Sequence, residues 1–147
     1  MPEEPQELAA NEWGTITSYP QWNTLELTWS PNTRSMDDDG FRETLQLLAD
    51  QGLKVRPMFM IIDATQFFHT PAQGTLAWRY ENIVPKYNEA GVQKFAFLTT
   101  DATPGTVEKG GMPAPDGPAA FPTAWFETRD RLYAWLTSGD AARAPNS

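Results

Sequence analysis

The chain has 147 residues, no cysteine, one histidine and a formal net charge of −8. That length suits one domain burying about two-thirds of its unfolded surface, and six Trp, eight Phe, four Tyr and five Met supply its core. The acid excess excludes a nucleic-acid partner, which needs a dense basic face. The missing cysteines exclude disulfides and thiolate chemistry, and a single histidine excludes a His-rich metal site, so no metal and no cofactor are expected. No apolar run approaches the roughly 18 residues of a membrane span. The first twelve residues carry four glutamates and no signal-peptide core, which points to a reduced, cytoplasmic home.

Residues 1–12 predict a flexible arm with a helical turn near Glu7–Ala10. Trp13 to Tyr19 has strand-like density, and Tyr19-Pro20-Gln21-Trp22-Asn23 reads as a turn. Thr24 to Trp29 alternates, placing Leu25, Leu27 and Trp29 on a core face and Thr24, Glu26 and Thr28 on a polar one. The two segments predict an antiparallel hairpin with one half-buried strand. Ser30-Pro31-Asn32-Thr33 breaks it, and Ser35 or Asp37 caps a helix whose buried stripe is Phe41, Leu45 and Leu48, ending at Gly52. Asp37-Asp38-Asp39 suggests a divalent-cation site, yet attraction to the positive helix end is enough to place three acids there.

Met58-Phe59-Met60-Ile61-Ile62, unbroken and stopped by Asp63, predicts a central strand covered on both faces. A loop holding Thr65, Phe67, Phe68 and His69 leads to Thr70-Pro71, a helix-start signal. Leu76, Tyr80, Ile83 and Tyr87 then form a helical stripe, which Pro85 is expected to kink near Glu81 and Gly91 to end. Trp78 falls off that stripe and is expected to be exposed. Gln93 to Leu98 predicts another strand, running out at Thr99-Thr100-Asp101. Five prolines and four glycines over 102–122 predict a long loop without regular structure, a flap over the domain. Ala124-Trp125-Phe126 reads as a short edge strand, and Thr128 opens a last helix burying Leu132, Trp135 and Leu136, stopped by Gly139. Residues 140–147 read as a disordered tail. The expectation is a single α/β domain over 13–139, with a mixed sheet of four to five strands and three to four helices.

This order resembles the STAS fold in its SpoIIAA-like (STAS/SEC14-like) variant, known from bacterial proteins. The resemblance rests on Leu25-Glu-Leu-Thr-Trp29, on Phe41 to Leu48, on Met60-Ile-Ile-Asp63, and on Phe126 to Leu136 with its closing Ala134-Trp135-Leu136. It covers residues 13–138. In anti-sigma-factor antagonists of this fold a serine in an Asp-Ser-Ser-Gly turn is phosphorylated by a partner kinase. Here the stretch is Phe68-His-Thr-Pro-Ala-Gln-Gly74, with Thr70 as the hydroxyl, Pro71 behind it and no aspartate. Relatives lacking the serine resemble binders of small or lipidic molecules.

In open α/β sheets ligands bind beyond the carboxyl ends of the strands. That rule gathers Asp63, Thr65, His69, Thr70, Thr99, Thr100 and Asp101 beneath the flap, with Phe67, Phe68, Trp78, Phe121 and Trp125 as apolar walls. Plainer roles compete: Asp63 capping a turn, His69 packing in its loop, Thr70 capping a helix, and the aromatics filling a core. The leading expectation is a binding or regulatory module for an apolar or aromatic small molecule, or for a protein partner or second copy of the chain. The alternative is cofactor-free acid–base chemistry by His69, oriented by Asp63 or Asp101. A third is a phospho-regulated antagonist acting through Thr70.

Overall fold

The computed structural model describes residues 5–69, 72–100, 114–115 and 120–137. The expectations for Thr70-Pro71, Asp101, most of the 102–122 stretch and the 140–147 tail lie outside these residues. The described chain forms an α/β domain on one mixed sheet of seven strands, more than the four to five expected.

The sheet is built outward from β4 (Phe59–Asp63), the middle of the seven. Its parallel neighbours are β3 (Thr24–Trp29) and β5 (Lys94–Leu98). Four of the five expected apolar residues therefore lie in the central strand, with Met60 to Asp63 all buried, while Met58 stands just before it and is exposed. On one side β2 (Gly14–Tyr19) pairs antiparallel with β3, completing the expected hairpin. Its turn is a 3₁₀ segment, Pro20–Trp22, released by Asn23 in the left-handed region at φ 52°. Asparagine tolerates that conformation better than most residues.

Beyond β2 lies β1 (Gln6–Ala10), antiparallel and bulged between Glu7 and Ala9. Here the sequence suggested an arm with a helical turn. Pairing along the open edge of β2 overrides the poor strand propensity of Gln, Glu and Ala, and Leu8 and Ala9 pack against the core. On the other side β7 (Pro122–Phe126) runs parallel to β5, so it is not the edge. The edge is β6, two residues, Ala114–Pro115. Proline cannot donate to a ladder, so an outermost strand suits it.

Among the described residues four helices cover the sheet unequally. Helix α1 (Asp38–Val55) is capped by Asp37, whose carboxylate accepts from Gly40 N–H. It runs past Gly52, which is buried against Met60, and ends at Arg56 in the left-handed region. Helix α2 (Thr75–Asn82) starts after Gly74, at φ 89°, later than the Thr-Pro signal suggested. Pro85 does more than bend the chain. It sits in the first turn of a separate helix, α3 (Val84–Ala90), with the break at Ile83, because proline has no N–H for the carbonyl of Glu81. Ile83 and Tyr87 are fully buried, as the stripe predicts. These three helices close the main core, in which Trp29, Phe41 and Phe67 form a triangle of rings 5.0–5.7 Å apart.

The opposite face carries one helix, α4 (Arg129–Leu136), capped by the Thr128 hydroxyl. Leu132, Trp135 and Leu136 bury against Ile61, Ala96, Leu98, Ala124 and Phe126. The polar side of β3 is therefore not solvated as its alternation suggested. Thr24 and Glu26 are both buried, Glu26 to 1% exposure.

Candidate functional site

Two poles of the sheet are distinguishable. At the carboxyl ends of the parallel strands, where ligands were expected, the side chains hold one another. Asp63 Oδ1 accepts from Thr65 N–H at 3.0 Å and from its hydroxyl at 2.6 Å, a turn-capping aspartate. Its Oδ2 accepts from Arg129 Nη2 at 2.7 Å. Arg129 also reaches Glu26, with Nη1 on Oε1 at 3.2 Å and Nη2 on Oε2 at 2.9 Å. One guanidinium thus joins two buried carboxylates from neighbouring strands. The bonds to Glu26 raise the Arg129 pKa although burial opposes them. Burial, then the carboxylate of Glu26, pushes the nearby Tyr19 hydroxyl up as well.

His69 does not meet Asp63. Its Nε2 lies 3.2 Å from Asp38 Oδ1, and its ring packs on Phe41 and Phe67. Asp38 also accepts from Ala72 N–H at 2.9 Å, the Thr75 hydroxyl at 2.8 Å and Arg42 Nε at 3.3 Å. Burial pushes the Asp38 carboxyl up, but these bonds, led by Ala72 N–H, outweigh it and bring the pKa down to about 2. The middle acid of the triplet therefore straps the loop after β4 to the start of α1. A second strap is Thr33, whose hydroxyl shares its one proton between the carbonyls of Ser30 and Gln66, 2.9 and 3.0 Å away, and accepts from Phe68 N–H. Among the described residues no cluster of three acids or histidines is placed to hold a metal ion.

The remaining expected wall residues are committed too. Phe67 and Phe121 are core residues, and Thr99 is fully buried with its N–H on the Phe126 carbonyl at 2.8 Å. Phe68 lies under the Arg34 guanidinium, at 4.3 Å from the ring centre. Trp78, expected to be exposed, is half-buried and covered by Arg42 at 5.1 Å. Trp125 stacks on Phe97, the planes 5° apart. Thr100 is half-buried at the strand exit.

Among the described residues an open recess lies at the other pole. A cavity of about 380 Å³ opens between the turn after β2, the first residues of β3 and β4, and the end of α4. Trp22, Phe59, Tyr133 and Leu136 form its apolar walls, with Gln21, Asn23, Thr24 and Thr137 between them. Trp22 is 48% exposed and meets Tyr133 edge-on at 5.1 Å, while its other flank faces Tyr19 at 6.4 Å. The backbone holds this pole in place: the Asn23 carbonyl accepts from both Met58 N–H and Phe59 N–H. Tyr133 links the poles, because its hydroxyl accepts from Arg129 Nη1 at 3.0 Å. These wall residues went unrecognised because Trp22 reads only as part of a turn and Tyr133 lies beside the buried stripe of the last helix.

The fold and cavity define a small α/β domain with one helix on one sheet face and an apolar recess at that helix's end. Comparison with family models, with curated proteins and with solved structures finds no match for the chain. Among the described residues no helix is long and apolar enough to cross a membrane.

Proposed function

We propose that this chain is a binding module that holds a small apolar or aromatic molecule in the cavity at the amino ends of β3 and β4. The observation that carries this reading is an exposed tryptophan on an open recess of about 380 Å³ walled by three aromatic rings. Small-molecule pockets run from roughly 300 to 1,000 Å³ and are mostly apolar with a few polar groups. Exposed aromatic surface beside a concavity is the usual mark of such a site. The resemblance to SpoIIAA-like relatives without the phosphorylated serine supports the same class. The test is calorimetry and thermal shift with small aromatic probes on the parent chain and Trp22→Ala. Binding that weakens in the variant supports the module, and no binding by any apolar probe refutes it.

A second reading, acid–base chemistry by His69, draws on its contact with Asp38. Its orienting acid is then Asp38, since both Asp63 oxygens are already engaged. The same Asp38 contacts account for His69 as a loop strap, and this favours the binding module. Turnover abolished by His69→Ala at an unchanged melting temperature would favour the enzyme instead.

A further inference from the structure

The cavity's chemistry narrows what it holds, given that it is a ligand site as proposed above. None of its lining residues carries a charge. Among the described residues, the charged groups Arg129 and Lys94 behind its walls are bound to partners of their own. Arg129 is held between Glu26 and Asp63. Lys94, buried behind Phe59 and Leu136, donates to the last carbonyls of α4, Trp135 O at 2.6 Å and Leu136 O at 3.2 Å, where its charge also meets the negative end of the helix. A charged ligand entering the recess would lose hydration and meet no opposite charge able to turn to it without leaving a buried partner unpaired.

Gln21 and Asn23 present exposed side-chain amides at the rim, and the hydroxyls of the lining are more restricted. The Thr24 hydroxyl donates to Trp22 O at 2.9 Å and the Thr137 hydroxyl to Tyr133 O at 2.8 Å, so neither proton is offered to a guest. Tyr133 is different. Its oxygen accepts from Arg129, which leaves its own proton without an acceptor among the described residues. A phenol that accepts from a cation is also the better donor.

We propose that the cavity selects an uncharged aromatic or apolar molecule bearing one hydrogen-bond acceptor, such as an aryl ketone, and that the Tyr133 hydroxyl reads that acceptor. The recess is then a specificity device: its rings take the apolar body, Tyr133 fixes the orientation, and the self-paired charges turn ions away.

The experiment uses the full chain and four probes of similar size: acetophenone, ethylbenzene, benzoate and benzylammonium. Affinities are measured by calorimetry or tryptophan fluorescence at fixed ionic strength. Acetophenone is expected to bind best, with each ion about tenfold or more weaker. Tyr133→Phe keeps the ring and is expected to weaken acetophenone by about 3- to 10-fold, the worth of one neutral hydrogen bond, while leaving ethylbenzene unchanged. Circular dichroism confirms the variant's fold, and the ranking on the parent chain stands whether or not the variant folds. Benzoate or benzylammonium binding as well as acetophenone overturns the inference, and so does a folded Tyr133→Phe with unaltered acetophenone affinity. If no probe binds, ethylbenzene included, the ligand-site reading itself fails and this inference with it.

Discussion

Asp38 offers the sharpest physical test of how this domain is held together. It receives the Ala72 N–H, the Thr75 hydroxyl, His69 Nε2 and Arg42 Nε. Its carboxyl falls from an ordinary 3.8 to about 2, which corresponds to about 2.5 kcal/mol favouring the ionised form in the folded state. Because the folded pKa is the lower one, this stability is fully present above pH 4 and disappears as pH falls through 2. Asp38→Asn is therefore expected to cost about 2 kcal/mol at pH 7, measured by urea unfolding. The gap between parent and variant should narrow to about half near pH 3 and nearly close at pH 2. A gap as wide at pH 2.5 as at pH 7 would refute the reasoning, showing that packing or lost hydrogen bonds, not the ionised carboxylate, carry the effect.

Other perturbations test the rest of the architecture. Arg129→Met strands Glu26 and Asp63 as uncompensated buried charges and is expected to cost about 3 kcal/mol in urea unfolding. Adding Glu26→Gln should recover part of that loss, and a simply additive double variant would deny the coupling. Gly40→Ala improves intrinsic helix propensity by about 1 kcal/mol, yet its Cβ would stand 2.7 Å from Trp13 Nε1 and 2.9 Å from Met36 Cγ. A lowered melting temperature is expected, and a raised one would mean that Trp13 moves freely. His69→Ala removes a ring packed on Phe41 and Phe67 and should lower stability by about 1–2 kcal/mol. Hydrogen exchange should then speed up first at Phe68, Ala72 and their neighbours, which Thr33 and Asp38 hold.

Periodicity made most of the frame legible. The apolar run before Asp63 marked the central strand, though Met58 at its head falls outside it and is exposed, and the Phe41, Leu45 and Leu48 spacing marked the buried side of α1. The cap at Thr128 was readable, and that at Asp37 was one of two candidates with Ser35, because capping is local. Boundaries misled where packing outweighed a local signal. Gly52 lies inside α1 because Met60 fills the space beside it, and β1 exists because β2 offers it an edge. The Pro85 break was visible in the sequence, but its outcome, two short helices, depended on how Ile83 and Tyr87 are both buried.

The sequence by itself determined the α/β class, the central strand, the hairpin and the buried stripes of the first and last helices, with Ile83 and Tyr87 of the middle one, since each follows from residues within a few positions of one another. Only the tertiary structure decided where charge and open space lie. Arg129 meets Asp63 across 66 positions and Glu26 across 103, and His69 finds Asp38 rather than the nearer Asp63. The reason is geometric. Propensity and periodicity are short-range, whereas strand order and register bring distant side chains to one face, and no local pattern records which of them arrive together.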